Sequence, residues 1–293
     1  MKKRKFLKII IILLLLLAAL TYDSNTRPAL TEYSVSSHRL PESFDGFTVV
    51  QLSDFHGGLG KKANEKILEM TEGAKPDIIA ITGDMVDSGT DMAVVDAFLG
   101  ELTEIAPVYY VTGNHEWAAG KVDKLRNMIN GDGDQGRRRM AELQELLHKW
   151  GVHYLSNSYE LLDRGGEDII LAGVEDPNGY SDMLKPEEVV DIINEEREGG
   201  FTILLGHRNY WVENYPQLEV DIILSGHAHG GIVRLPFAGG VLGTGYELFP
   251  EHVEGVVESG RYSMVVSRGL GNSVPVPRFL NNPEIVVLRL ESE

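Results

Sequence analysis

Several short apolar runs in this sequence each end in a polar turn. The runs are rich in Val and Ile, and stretches with helical spacing of apolar residues separate them. Strands that alternate with helices predict a mostly parallel sheet that is buried on both faces. Because the carboxyl ends of parallel strands share one edge, where ligands bind, we expect the polar turns to meet there. These turns lie at residues 53–56, 83–87, 113–116, 206–207 and 225–229.

The order of the predicted elements indicates an α/β fold. Runs such as 47–52 and 77–82 alternate with helical patterns, one of which covers 61–72, and residues 160–174 have the pattern of a β-hairpin. We therefore expect two mixed β-sheets packed face to face with flanking helices, an αββα sandwich, in a single domain over residues 46–291.

The stretch that follows the third strand is less regular. Three glycines within 130–136 predict a loop, and its acidic spacing resembles the start of a calcium-binding loop. The Gly and Glu that such a loop requires each come one residue late, which favours an ordinary surface loop. The segment 117–150 either caps the substrate cleft or simply packs against the fold.

The amino terminus has the pattern of a membrane anchor or an export signal. Basic residues fill much of 2–8, and the run from Ile9 to Leu20 is apolar without a break. That run suits a signal peptide and is short for a membrane span, but a small-x-small cleavage site is missing. We expect residues 1–22 to form an uncleaved signal anchor, with a cleaved signal peptide as the alternative, and residues 23–45 to form a stalk. Since basic residues stay in the cytoplasm, the catalytic part is expected outside it, or secreted if the leader is removed.

Composition excludes several classes of function. The chain of 293 residues has no Cys, so a disulfide scaffold, a thiolate metal site and a Cys nucleophile are excluded. Its formal net charge is −17, and the basic leader makes the remainder more acidic still. Such a body repels the phosphate backbone, so we expect no non-specific nucleic-acid binding.

The residue types in the polar turns indicate a metal centre. Imidazole and carboxylate groups are the usual ligands of borderline divalent ions, and an Asn carbonyl can join them. One tetrahedral ion needs about four ligands, so a larger set suggests two ions that share a bridging ligand, for which we choose Asp84. Mn, Fe or Zn fit this chemistry equally well. The candidate ligands are Asp54, His56, Asp84, Asn114, His207, His227 and His229.

Each motif taken singly has an ordinary explanation. Gly, Asp and Asn are common turn residues, and a lone His is often a half-buried structural side chain. The Gly226-His227-Ala228-His229 element is rarer, and the joint placement of five histidines at predicted strand ends favours a metal site.

The set of motifs resembles that of the calcineurin-like metallophosphoesterases. The resemblance covers about residues 47–290, and the leader and the glycine-rich segments near the carboxyl end are similar to a membrane-associated bacterial branch, some of whose members cleave phosphodiesters or a lipid-linked pyrophosphate. The family fold is an αββα sandwich. The motifs are Asp54-x-His56, Gly83-Asp84-x-x-Asp87, Gly113-Asn114-His115-Glu116, His207 and Gly226-His227-x-His229.

The resemblance implies a role for each motif residue. Asp84 would bridge two metal ions, His115 would act as general acid or stabilise the leaving oxygen, and Asp87 would hydrogen-bond His115 and fix its tautomer. The other residues would bind metal in two groups, Asp54, His56 and His229 for the first ion and Asn114, His207 and His227 for the second.

One position departs from the family pattern. Many phosphatases of the family follow the Gly-Asp-x-x-Asp element with an Arg that contacts phosphate, and this chain has Ser88 there. Arg208 either replaces that Arg or is an ordinary surface residue.

The resemblance predicts a metal-dependent phosphoric ester hydrolase. We expect a phosphodiesterase or pyrophosphatase in which a metal-bridging hydroxide attacks a phosphoester, with lipid-linked and nucleotide-linked phosphoesters as the candidate substrates. A phosphomonoesterase or nucleotidase with the same site is the alternative. A non-catalytic scaffold on the same fold is disfavoured, because every ligand position is filled.

Overall fold

The computed structural model describes residues 2–117, 135–176, 183–197 and 199–293. In chain order its elements are α1 (Lys2–Thr26), β1 (Ala29–Ser37), β2 (Thr48–Leu52), α2 (Lys61–Gly73), β3 (Ile78–Thr82), α3 (Met92–Ile105), β4 (Val108–Val111), α4 (Gln135–Lys149), β5 (His153–Tyr154), β6 (Ser158–Arg164), β7 (Glu167–Gly173), α5 (Pro186–Glu196), β8 (Thr202–Leu205), α6 (Trp211–Asn214), β9 (Ile222–Ser225), β10 (Val233–Leu235), β11 (Gly239–Leu242), β12 (Gly255–Glu258), β13 (Ser263–Val266) and β14 (Glu284–Ser292).

The strands of the described residues form two large sheets and a small hairpin. The first sheet has the order β1-β14-β2-β3-β4-β5, and the second has the order β12-β13-β9-β8-β7-β6. Most neighbouring strands are parallel, whereas β14 with β2, β12 with β13 and β6 with β7 are antiparallel. β10 and β11 pair with each other. The predicted hairpin over 160–174 is thus confirmed as β6 and β7.

The packing follows from strands that are apolar on both faces. In β3, Ala80 packs between the two sheets, whereas Ile79 and Ile81 face the helices outside the first sheet. In β8 the same alternation places Ile203 between the sheets and Leu204 toward the helices of the second sheet. Helices therefore cover both outer faces, and the predicted αββα sandwich is confirmed.

The predicted stalk is wrong for residues 29–37, which form β1 at an edge of the first sheet. In this strand Tyr33 and Val35 pack against the core between the sheets, and the intervening Ser34 is exposed. This alternation is typical of an edge strand with one solvated face. The segment was not predicted as a strand because its composition is mixed and mostly polar.

Helix α1 projects from the folded body. It is long and apolar enough to cross a membrane by length and composition, and none of its most apolar window is buried. At about 1.5 Å per residue, a helix of this length is long enough to cross a bilayer core about 30 Å thick. The helix is longer than the apolar run, because the polar residues after Leu20 continue it as far as Thr26.

Two predictions fall partly outside the described residues. Residues 130–134 of the calcium-like loop and half of the candidate cap, residues 118–134, lie outside the described residues, whereas residues 135 and 136 begin α4. The described end of that segment is α4, which buries Met140, Leu143 and Leu147 against the helical side of the first sheet.

Candidate metal centre

The five polar turns meet at one edge of the sandwich, where β2, β3, β4, β8 and β9 end. Acidic and imidazole groups from these turns lie close enough to hold metal ions, with ligand atoms within 4.8 Å of one another in each group. The described groups are Asp54 with His56 and His229, Asp84 with His207 and His227, and His56 with Asp84 and His115.

Asp84 lies between the two main groups. Its Oδ1 accepts a hydrogen bond of 2.8 Å from the main-chain N–H of His115. Its Oδ2 is 3.1 Å from Nε2 of His207 and 3.8 Å from Nε2 of His56. One carboxylate oxygen therefore faces imidazoles of both groups, which is the position expected of a bridging ligand.

The first group is compact and buried. Nε2 of His229 lies 3.2 Å from Oδ1 of Asp54 and 3.3 Å from Nε2 of His56. On the other side of its ring, Nδ1 of His229 is 3.2 Å from the Gly271 carbonyl. A hydrogen bond from Nδ1–H to that carbonyl leaves Nε2 free to bind a cation.

In the second group a main-chain carbonyl orients a histidine in the same way. Nδ1 of His207 is 2.8 Å from the Thr82 carbonyl, so its Nε2 points at Asp84. Asn114 is buried, and its Oδ1 has no hydrogen-bond partner among the described residues. A buried amide oxygen without a partner costs free energy, and a bound cation would satisfy it. The donor set therefore fits divalent metal ions.

Charge at the centre is arranged for cation binding. Burial and the nearby His115 lower the pKa of His56 to about 3, and burial with Arg208 lowers the pKa of His227. These rings are neutral, as metal ligands must be. Burial opposes a charge on His207, but Asp84 overcomes it and raises the pKa of His207 to about 10. A metal ion would displace this proton, so metal affinity is expected to fall at low pH.

The turns are held in costly backbone conformations. Asp54, His56, Asp84, His227 and His229 all have positive φ, between 48° and 69°. Non-glycine residues adopt this left-handed region rarely, and such strain is found mainly at functional sites. Gly113 allows close approach here, because a Cβ at that position would overlap the carboxylate of Asp84.

Comparison with known proteins agrees with this geometry. A family model described as "Calcineurin-like phosphoesterase" matches residues 47–231. The chain belongs to the calcineurin-like phosphoesterase family. It is a metal-dependent phosphoester hydrolase of a family that uses two divalent metal ions, and the groups around Asp84 can hold them.

The family assignment is supported by curated relatives. The chain is 30% identical to the uncharacterized metallophosphoesterase YkuE of Bacillus subtilis (strain 168), over 89% of this chain and 85% of the relative. It is 28% identical to an uncharacterized metallophosphoesterase of Aquifex aeolicus (strain VF5), over 89% and 91%. It is also 30% identical to a "Transmembrane protein with metallophosphoesterase domain" of Danio rerio, over 70% of this chain and 45% of that protein.

The two predicted catalytic residues, His115 and Asp87, lie outside the two main groups and have different surroundings. His115 is buried, and its Nε2 lies 4.0 Å from Oδ2 of Asp84. Asp87 has its Oδ2 4.0 Å from Nδ1 of His56, and its Oδ1 accepts a hydrogen bond from the N–H of Gly89. The predicted hydrogen bond between Asp87 and His115 is not among these contacts, so a role for Asp87 in setting the tautomer of His115 stays a prediction.

Glu116 joins two turns of the candidate metal centre, although no sequence pattern indicated a role for it. It is fully buried, and its carboxylate accepts main-chain N–H hydrogen bonds from Asp84, Met85, Val86 and Gly113. Burial and the charge of Asp84 raise the pKa of Glu116 to about 7, against these hydrogen bonds. The carboxylate thus fixes the turn that carries Asp84 to the turn that carries Asn114.

Replacing Glu116 with Gln is expected to destabilise the protein by about 1–3 kcal/mol, because an amide NH₂ would face N–H donors. The midpoint of thermal unfolding would fall, and metal affinity would fall with it. The matched control is Glu104→Gln on the exposed face of α3. An unfolding midpoint equal to that of the control would contradict this role.

Arg208 is a buried residue of the site. Its guanidinium forms an ion pair with the buried Asp176, in which Nη2 lies 2.6 Å from Oδ2, and its Nη1 is 2.9 Å from Nε2 of His227. The surface interpretation of Arg208 is therefore wrong. No sequence signal links Asp176 to Arg208, since the pair forms only when the ends of β7 and β8 come together.

Proposed function

We propose that this protein is a phosphodiesterase or pyrophosphatase that acts outside the cytoplasm and is held at the membrane by α1. The observation that carries the hydrolytic part is the position of Asp84, whose Oδ2 faces His207 at 3.1 Å and His56 at 3.8 Å. This geometry supports the assignment of both ligand groups to two adjacent cations.

Ser88 and the pairing of Arg208 with Asp176 favour a substrate with a low charge. A phosphodiester has one negative charge and a phosphomonoester near neutral pH has almost two. Ser88 removes one expected phosphate contact, and Arg208 is already neutralised by Asp176. Arg208 therefore provides little extra charge for a dianion, which favours the diester over the monoesterase alternative.

When bound, the two divalent ions supply charge neutralisation of the phosphate and acidify a water molecule. The chain then has to place that phosphate and protonate the leaving oxygen. His115 lies beside Asp84 but faces the site from outside the two ligand groups, and we assign it the proton donation.

The membrane location is supported by α1 and by its flanking charges. Basic residues precede the apolar run, and they favour a cytoplasmic amino end and an outward folded domain. One relative has "Transmembrane protein" in its name. In this arrangement residues 1–22 form the anchor.

Metal analysis with two parallel assays tests the proposed function. We expect metal bound at two sites, and turnover of bis-p-nitrophenyl phosphate that exceeds that of p-nitrophenyl phosphate and stops after chelation. Faster turnover of the monoester would favour the phosphomonoesterase. Absence of both metal and turnover would favour a scaffold.

A further inference from the structure

A cluster of exposed apolar side chains lies close to the metal centre in sequence. We call this cluster the apolar rim; its members and their exposed fractions are Leu235 (46%), Phe237 (110%), Tyr246 (50%), Leu248 (70%) and Phe249 (61%). Outside α1, the other large apolar residues that the described ranges expose are Leu161, Ile192 and Val256. A concentration of this kind in one hairpin and its following loop is typical of an interaction surface.

The apolar rim is directly connected to the metal centre. β10 begins at Val233, four residues after His229. The segment that carries Tyr246, Leu248 and Phe249 also lines a cavity of about 230 Å³ through Thr244, Glu247 and Pro250, and His227 lines the same cavity. A molecule that rests on the apolar rim therefore lies beside the second ligand group.

The end of α1 is bound to the same part of the molecule. The side chain of Asn25 donates to the carbonyl of Arg278 at 2.8 Å and accepts from its N–H at 3.1 Å. The next residue, Phe279, accepts a hydrogen bond of 2.9 Å from the N–H of Arg234 in β10. The helix and the hairpin that carries the apolar rim are thus joined through two adjacent residues.

Strand directions place α1 on the side of the metal centre. β1 follows α1 and runs parallel to β14, and β14 runs antiparallel to β2. The start of β1 therefore lies at the edge where β2 ends and where Asp54 and His56 follow. A bilayer that contained α1 would face this edge.

We propose that the apolar rim is a second membrane contact, which rests in the interface of the bilayer that α1 enters. Aromatic and aliphatic side chains are favourable at this depth, with Tyr and Phe near the headgroups. The contact would hold the metal centre against the membrane surface, where the accessible phosphoesters are those of lipid headgroups. The proposal rests on the membrane anchoring by α1 proposed above.

The absence of cysteine in the chain allows a direct test on the intact protein with α1 in place. The Phe237→Cys variant is labelled with an NBD fluorophore and reconstituted into phosphatidylcholine vesicles, with and without a mixture of phosphatidylcholines that carry doxyl groups near the headgroup and deep in the acyl chain. Uncharged vesicles avoid repulsion of the nearby Glu247 and Glu251. We expect quenching at position 237 to exceed that of a matched exposed position by roughly threefold, because only an inserted probe meets the doxyl group.

The matched position is Leu161, which is 43% exposed on β6, at the edge of the second sheet farthest from β12. Leu161→Cys should be quenched little, and Leu13→Cys within α1 should be quenched strongly. Equal quenching at 237 and 161, with strong quenching at 13, would overturn the proposed membrane contact of the apolar rim and leave the proposed anchor intact. No quenching at 13 or 237 would overturn both. Turnover of the water-soluble bis-p-nitrophenyl phosphate by each labelled variant reports the proposed hydrolytic function separately.

Discussion

Replacing Asp84 with Asn is expected to abolish metal binding and hydrolysis together. In the structure Oδ1 of Asp84 is held by the N–H of His115 and Oδ2 faces both His207 and His56. An amide has one oxygen and no charge. If that oxygen stayed on the His115 N–H, an NH₂ group would point at the metal positions; if it turned, NH₂ would face the N–H.

The size of the effect follows from the position of Asp84 between both groups. Removing an outer partner of a metal ligand already costs about 10–100-fold in affinity or activity, so loss of the shared ligand should cost more than about 100-fold. The loss is measured as metal content, by inductively coupled plasma emission spectrometry, and as turnover of bis-p-nitrophenyl phosphate. Asp163→Asn on the exposed β6 is the matched control. An Asp84→Asn variant that keeps its full metal content would show that Asp84 is not the bridge.

The polar turns of the candidate metal centre were predictable because several simple signals coincide in them. Each turn follows a short apolar run, and a parallel sheet brings such turns to one edge. The chemistry of Asp, Asn and His then suffices to predict a cation site, and the structure places the acidic and imidazole candidates in adjoining groups. The resemblance to a family supplied the division of the ligands into two groups.

Other parts of the site depend on contacts that no local pattern contains. Glu116 follows His115 in a motif, but its four N–H donors come from two turns that only the folded sheet brings together. Asp176 and Arg208 pair across the ends of β7 and β8. β1 was missed for a different reason, since its alternation of Tyr33 and Val35 with polar residues was hidden in a polar composition.

The buried charge of Arg278 is another feature that no local sequence pattern predicts. Arg278 is fully buried, and its guanidinium donates to main-chain carbonyls, including that of Gly271, which also faces Nδ1 of His229. Burial lowers the pKa of Arg278 to about 10. The sequence places this Arg in an irregular segment between strands, and only the packing of that segment against the His229 turn shows why a cation is tolerated there.

Replacing His115 with Ala is expected to keep both metal ions and to remove most of the rate. The contact of His115 that supports metal binding is its main-chain N–H to Asp84, which Ala retains. The imidazole itself is lost, and with it the proposed proton donor. General acid catalysis contributes about 10²–10⁴-fold, so turnover should fall within that range at unchanged metal content.

The identity of the leaving group separates proton donation from a structural role of His115. A p-nitrophenolate leaves readily without a proton, whereas an unsubstituted phenolate depends on one. If His115 protonates the leaving oxygen, the Ala variant should lose more rate on a phenyl phosphodiester than on its p-nitrophenyl counterpart. His148→Ala, an exposed substitution on α4, should affect neither substrate. Equal losses on both substrates would mean that His115 acts through the position of Asp84, and normal turnover would remove it from the mechanism.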